Sequence, residues 1–196
     1  MSRIHQVRIS LNNITPPIWR QVLVPSDITL GRLHILIQIV MGWDDDHMHQ
    51  FTLGAARRGS RKRGRMFVQM ITPWGEPTEM DGEDEDAVTL GEVCGKTRSK
   101  LTYDYDFGDG WRHTIEVQKI LDPDPDVKYP LCQAGKRACP PEDCGGPWGY
   151  EGLLEALENP DDEEYADRLE WLGDEFDPEA FDADKVNAVL RRWPKG

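Results

Sequence analysis

LTYDYDFGDGWRHTIEV, residues 101–117, carries the strongest strand pattern in the chain. Apolar and polar side chains alternate on both sides of its centre, which is the two-residue period of a strand with one face on a core. Gly108-Asp109-Gly110 separates the two halves and offers the backbone freedom that a tight reversal needs. The stretch therefore predicts an antiparallel hairpin. The side chains predicted on its inward faces are Leu101, Tyr103, Tyr105, Phe107, Trp111, His113, Ile115 and Val117.

Further strands and one helix are predicted upstream of this hairpin. Residues 4–11 and 18–24 each show strand alternation, and neighbours in sequence usually pair, so they predict a second hairpin. Apolar residues recur at helical spacing between Thr29, a hydroxyl N-cap, and Gly42, a residue that ends helices. Two more strands are predicted at residues 47–53 and 66–71.

The rest of the chain divides by composition. Residues 76–86 hold seven acids among glycine and proline, which predicts a mobile excursion from the sheet. Strands followed by helices indicate an α+β fold, a mostly antiparallel sheet built from hairpins with one helix packed on it and a C-terminal helical segment. The predicted parts of this single domain are an α+β portion at 1–121, a Pro/Cys/Gly-rich connecting loop at 122–147 and C-terminal helices at 148–196.

Composition excludes several classes of protein. The 196 residues include 23 basic and 36 acidic side chains, and the net charge of −13 repels phosphate backbones and anionic lipids on average. No apolar run approaches the roughly 20 residues that span a bilayer. The amino terminus lacks a signal-peptide core, and four cysteines do not make a disulfide scaffold, so a cytoplasmic location is expected. Nucleotide-binding loops, G-x-S-x-G elbows and HExxH helices are absent from the sequence.

Six ordered motifs together indicate a family. They are Pro16-Pro17-Ile18-Trp19-Arg20; Leu33-His34 running to Met41-Gly42-Trp43; His47-Met48-His49-Gln50-Phe51; residues 105–113, YDFGDGWRH; residues 139–150, CPPEDCGGPWGY; and residues 176–182, FDPEAFD. This series resembles the plasmid pRi open-reading-frame-3-like domain family, whose members also appear as insertion-element passenger proteins labelled TnpR-like. The resemblance implies an α+β fold and brings no catalytic residue with it. The short serine motif that a serine recombinase needs near its start is absent here.

Three clustered cysteines are the first candidate site. Cys132, Cys139 and Cys144 have the spacing C-x6-C-x4-C, and thiolates are zinc ligands. A fourth ligand would be Cys94 or a histidine. The alternative is a loop that packs small apolar thiols beneath the helices.

Three histidines are the second candidate site. His47 and His49 alternate with Met48 on a predicted strand, and His113 lies on the apolar face of its own strand. With a carboxylate from residues 44–46 they could hold zinc or iron and activate a water for hydrolase or oxygenase chemistry. The alternative is that they are core histidines bonded to backbone carbonyls, which is the assignment for His5 and His34.

A basic loop is the third candidate site. Its six cations are Arg57, Arg58, Arg61, Lys62, Arg63 and Arg65. Clustered positive charge binds nucleic acid even in an acidic protein. The alternative is that the loop pairs with the acids of residues 76–86.

These observations favour a protein- or nucleic-acid-interaction module without catalytic activity and with no membrane partner. A metal-dependent enzyme that uses His47, His49 and His113 is the alternative. The enzyme requires the three imidazoles to converge on one ion, about 2.0–2.2 Å from each.

Overall fold

The computed structural model describes residues 2–54, 64–70, 72–173 and 176–192. Most of the strands lie in the first two thirds of the chain, where apolar and polar residues alternate. The last third forms mainly helices, and its apolar residues recur at helical spacing. The described elements are β1 (Ile4–Leu11), β2 (Trp19–Pro25), α1 (Leu30–Met41), β3 (His49–Leu53), β4 (Arg65–Val68), β5 (Glu83–Asp84), α2 (Leu90–Val93), β6 (Lys100–Tyr105), β7 (Trp111–Leu121), β8 (Leu131–Lys136), α3 (Gly146–Glu158), α4 (Ala166–Leu172) and α5 (Ala183–Leu190).

One sheet of eight described strands has the order β5-β4-β3-β6-β7-β1-β2-β8. All neighbours run antiparallel except β4 and β5. The predicted hairpin lies at its centre, where Leu101 faces Ile115 and Tyr105 faces Trp111. The α+β fold with a mostly antiparallel sheet is confirmed.

Helix α1 supplies the apolar layer on the sheet, with the predicted boundaries. The Thr29 hydroxyl accepts a hydrogen bond from the amide of Arg32, and Gly42 ends the helix at φ 92°, where an L side chain is strained. Its buried face carries Leu30, Leu33, His34, Leu36, Ile37, Gln38, Val40 and Met41. Two polar side chains, at positions i and i+4, therefore lie inside an otherwise apolar interface.

Three parts of the chain differ from the sequence-based predictions. The predicted connecting loop at 122–147 contains β8, and five of its six residues pair with β2. This strand is too short and too polar to show alternation. The predicted excursion at 76–86 contains β5, and Glu85 just after it is buried. Phe107 is 51% exposed because the chain already turns at Asp106, with φ 53°, so Phe107 belongs to the turn and not to the strand.

Helices α3 and α5 pack on the same core as the sheet. Tyr150 of α3 and Leu190 of α5 belong to the hydrophobic cluster that α1 and the strands form. The Asp182 carboxylate caps α5 by accepting from the amides of Asp184 and Lys185. Among the described residues, no helix is both long and apolar enough to cross a bilayer.

Candidate functional site

A cleft of about 390 Å³ opens between α1, the amino end of β3 and the segment that follows β5. Its walls combine apolar side chains at the rim with imidazoles and carboxylates at the floor. The lining residues are Gly31, Arg32, His34, Ile35, Asp45, His49, Gln69, Met70, Pro73, Asp84, Glu85 and Asp86. Concave sites with a few convergent polar groups are the usual places for small ligands.

Two stacked imidazoles form the floor of this cleft. The rings of His34 on α1 and His49 on β3 have centroids 3.5 Å apart and planes that differ by 6°. Both residues are buried. Like charges at this separation repel strongly, so the stack is stable only when at most one ring is protonated.

His34 is the middle of a hydrogen-bonded chain. Its Nε2 lies 2.7 Å from Asp45 Oδ1, and its Nδ1 lies 2.8 Å from the hydroxyl of Tyr103, which accepts a hydrogen bond from Gln38 Nε2 at 2.9 Å. A carboxylate accepts only, so we assign the His34 proton to Nε2, and the Tyr103 hydroxyl then donates to Nδ1. Burial lowers the pKa of His34, and the hydrogen bond to Asp45 raises it by a smaller amount. The net effect favours the neutral ring near neutral pH.

His49 has a similar carboxylate partner but a free second nitrogen. Its Nε2 lies 2.9 and 3.1 Å from the two carboxylate oxygens of Glu85. The same reasoning assigns its proton to Nε2. Its Nδ1 is buried and has no hydrogen-bond partner among the described residues. The site thus holds two imidazole–carboxylate pairs, stacked ring on ring.

The two pairs differ in access to solvent. The Asp45 side chain is 37% exposed, whereas the Glu85 side chain is 5% exposed. Asp45 occupies a left-handed backbone position, φ 66°, in the segment after α1. The His34–Asp45 pair is therefore the one that a bound molecule can reach, and the His49–Glu85 pair lies behind it.

Negative charge dominates the cleft. Among the described residues that line it, four are acids and one, Arg32, is a base. Burial raises the pKa of Asp86, and the nearby charges of Glu85 and Asp84 raise it further. A Cβ on Gly31 would overlap the Asp86 carboxylate, so glycine lets this acid approach α1. The field at the cleft favours ligands with positive charge.

The three predicted metal-binding histidines lie in different surroundings. His49 contacts Glu85, whereas His113 is buried with ring centroids 5.3 Å from those of Trp43 and Tyr103. Burial lowers the pKa of His113 to about 3. His47 lies before β3 and contacts Asp106 and Asp143. The structure does not bring these imidazoles together as one ligand set among the described residues.

The cysteines of the predicted zinc site are free thiols. Cys132 and Cys139 are buried and Cys144 is half-buried, and they form no ligand group in the part of the chain that the structure describes. Burial raises the pKa of Cys139 and of Cys144 to about 12, so both thiols are protonated at neutral pH. These positions match the packing alternative.

The predicted nucleic-acid-binding loop lies mostly outside the described residues. Those outside are Arg57, Arg58, Arg61, Lys62 and Arg63. Arg65 begins β4, and its guanidinium contacts the Glu83 carboxylate through two hydrogen bonds of 2.7 and 2.8 Å. This pair joins Arg65 to the acidic segment. For the other five cations, pairing with the acids stays a prediction.

Most residues of the cleft are not marked as functional by the sequence. His34 was assigned to the core, and Asp45 was considered only as a metal ligand. The recoverable signal is the His34–Gln38 spacing, which places two polar groups on the apolar face of α1. Glu85 gave no signal, because nothing in a run of seven acids marks the one that is buried.

Comparisons with known proteins agree with the six sequence motifs. Residues 3–185 match the family described as Plasmid pRiA4b ORF-3-like protein. The chain belongs to this family. It is similar to "Uncharacterized protein y4hQ" of Sinorhizobium fredii (strain NBRC 101917 / NGR234), with 34% identity over 193 residues, 97% of this chain and 92% of that protein.

A solved structure has the same fold. The crystal structure of the protein of unknown function MM3350 from Methanosarcina mazei Go1 aligns with a TM-score of 0.79 and 38% identity, over 95% of this chain and 98% of that one. The family resemblance inferred from the motifs is confirmed, together with its α+β fold.

Proposed function

We propose that the protein is an acid–base enzyme that acts on a small, positively charged substrate bound over the stacked rings of His34 and His49. The observation that carries this proposal is the pair of buried imidazoles, each hydrogen-bonded to a carboxylate, at the floor of an acidic cleft. Imidazole–carboxylate pairs in clefts are the usual means of moving protons in enzymes.

The exposed pair is the reactive one. The Asp45 carboxylate faces the cleft and is backed by the Nε2–H of His34, so a proton from the substrate or from a water passes to this pair. Asp45 takes that proton and holds it as a carboxylic acid, because Nε2 of His34 already carries a proton and Nδ1 faces the buried Tyr103 hydroxyl. Tyr103 and Gln38 hold the His34 ring in place through its Nδ1.

The remaining acids select the substrate. Asp84 and Asp86 line the cleft without a basic partner in the described ion pairs, and they attract an ammonium or guanidinium group. Ile35, Met70 and Pro73 at the rim contact an apolar portion. The expected substrate is an ester or amide of a cationic amine or amino acid.

Chromogenic substrates test the proposal. Arginine and lysine p-nitroanilides, the corresponding p-nitrophenyl esters and a thiocholine ester are incubated with wild type, Asp45→Asn, His34→Gln and Asp27→Asn. Asp27 is a matched control, since this exposed acid accepts only from the Ser2 hydroxyl in the described structure. We expect turnover that falls about 10²- to 10⁴-fold in the first two variants and is unchanged in the control. Binding without turnover, or turnover that Asp45→Asn leaves intact, contradicts the proposal.

An interaction module, which the sequence favours over an enzyme, is the second candidate. Two exposed aromatic side chains favour it, Trp148 on α3 at 85% and Phe107 in the turn before β7 at 51%. The segments that carry them are joined by a hydrogen bond of 3.2 Å from the Gly145 amide to Asp109. Exposed aromatics on adjoining segments are typical of protein-binding surfaces.

The partner class is tested separately. A nucleic-acid partner requires the basic loop, so reversing the charges of Arg61, Lys62 and Arg63 should abolish binding to duplex DNA in a mobility-shift assay. A protein partner requires the aromatic surface instead, so Trp148→Ala should abolish a crosslink that the charge reversal leaves intact.

The cytoplasmic location remains part of this proposal and is supported by the four free thiols.

A further inference from the structure

We propose that His47, Asp106 and Asp143 form a divalent metal site at the tip of the central hairpin, separate from the acid–base cleft. One ring nitrogen of His47 and one oxygen of each carboxylate lie within 4.8 Å of one another. No other set of three or more such ligands among the described residues comes this close. The site joins three segments that are distant in sequence.

His47 is the imidazole that an ion from solution can reach. The chain has five histidines, and the other four are buried. The His47 side chain is 28% exposed, and its ring packs edge-on against Tyr105, with centroids 5.8 Å apart and planes at 78°. This contact limits the rotation of the ring while it leaves one edge open to water.

Asp106 presents a carboxylate that is already oriented. Its backbone has φ 53°, and its Oδ1 accepts hydrogen bonds from the amides of Gly108 and Asp109 at 2.9 and 3.3 Å. Its own amide donates to the carbonyl of Met48, so the residue is fixed from both sides. Oδ1 lies 3.8 Å from His47 Nδ1. Such fixed ligands reduce the entropy cost of binding an ion.

Asp143 closes the site from the segment before α3. Its Oδ1 lies 3.3 Å from His47 Nε2, and its side chain is 75% exposed. The segment is held in place because Glu142 accepts from the Tyr105 hydroxyl and from the amide of Asp44. Asp106 and Asp143 face different nitrogens of the His47 ring, Nδ1 and Nε2. To bind one ion, both carboxylates must face the same nitrogen, and we expect the exposed Asp143 side chain to reach it by a change of rotamer.

The donor set indicates zinc or manganese. One imidazole nitrogen and two carboxylate oxygens suit Zn²⁺ and Mn²⁺, whereas Ca²⁺ takes oxygen ligands only. Ligand atoms at the usual zinc distances stand roughly 3.3 Å apart in a tetrahedron. The separation of 3.8 Å between His47 Nδ1 and Asp106 Oδ1 is near this value, whereas the 3.3 Å separation of Asp143 Oδ1 is measured to the other ring nitrogen, Nε2. Two carboxylates neutralise the ion, and three protein ligands leave a position for water.

Calorimetry on chelator-treated protein tests the site. Zn²⁺ and Mn²⁺ are each titrated into wild type, Asp143→Asn, His47→Gln and Asp126→Asn, a control acid that is also exposed. We expect one ion per chain, binding at least tenfold weaker in Asp143→Asn, no measurable binding in His47→Gln and no change in the control. Asp143 is exposed, so its variant reports on ligation without a folding defect.

Two outcomes overturn the proposal. One is the absence of stoichiometric binding by wild type to either ion. The other is binding that survives in both Asp143→Asn and His47→Gln. In that case, loss of binding in Cys139→Ser would assign the ion to the cysteines instead. The turnover assay of the cleft uses other residues, so either proposal can fail without the other.

Discussion

His34 and His49 lie face to face with ring centroids 3.5 Å apart, although one belongs to a helix and the other to a strand. Each ring donates its Nε2 proton to a different carboxylate, which fixes the orientation of both rings, and burial lowers the pKa of His34 and so favours its neutral form. This arrangement places two proton-binding groups next to each other beneath a cleft of four acids. It is the centre of the proposed acid–base function.

Removing the charge of Glu85 should destabilise the fold. Glu85 is buried and accepts the His49 proton with both oxygens, so Glu85→Gln weakens a charged hydrogen bond in the interior. We expect a loss of about 1–3 kcal/mol in the free energy of unfolding, measured with urea. Glu83→Gln is the matched control, because Glu83 is exposed and its contact with Arg65 should matter little. Equal effects of the two variants would contradict the assigned role of Glu85.

Acid should destabilise the protein through its buried histidines. Burial lowers the pKa of His34 and brings that of His113 to about 3, so below pH 6.5 the unfolded chain binds protons that the folded chain excludes. Stability therefore falls as pH decreases from 6.5 towards 3, by about 1.4 kcal/mol per pH unit from His113 alone.

A variant isolates the contribution of His113. Its ring nitrogens have no hydrogen-bond partner of standard geometry among the described residues, so His113→Leu removes a titrating group and little bonding. We expect the variant to show a shallower loss of stability between pH 6.5 and 4.5 than wild type in urea unfolding. Parallel curves for the two proteins would show that His113 is not buried in its neutral form.

Gly146 should tolerate no side chain. It has φ 69°, and a Cβ there would overlap the backbone carbonyl of Asp109, where α3 meets the hairpin. Gly146→Ala should lose about 1–3 kcal/mol more stability than Gly173→Ala, which has a similar φ of 74° but no described atom within 4 Å of its Cβ. Thermal melts of both variants measure the difference. Similar melting temperatures would place the hairpin tip farther from α3.

The cysteines should react slowly in the native state. Burial raises the pKa of Cys94 to about 11 and those of Cys139 and Cys144 to about 12, so little thiolate is present at neutral pH. We expect a thiol reagent at pH 7 to modify the folded protein slowly and to count four thiols after denaturation. Rapid modification of any of the three before unfolding would contradict these surroundings.

Sequence patterns predicted the fold where one face of an element is buried. The alternation around Gly108–Gly110 and the spacing from Thr29 to Gly42 report contacts with a core, and both elements are present, with Phe107 in the turn instead of the strand. Strand β8 was missed because it is an edge strand, and pairing with β2 does not require alternation. The cleft was missed for a related reason. Its key contacts join residues 11 to 69 positions apart, so no local pattern marks them.

Nitrogen NMR of histidine-labelled protein tests the central claim most directly. Long-range couplings report the protonation state and tautomer of each ring, with His34→Gln and His49→Gln used for assignment. We expect a proton on Nε2 of both rings, a neutral His34 ring at pH 7 and a change in the His34 resonances when arginine amide is added. An imidazolium at His34 at pH 7, or rings that no cationic ligand perturbs, would contradict it.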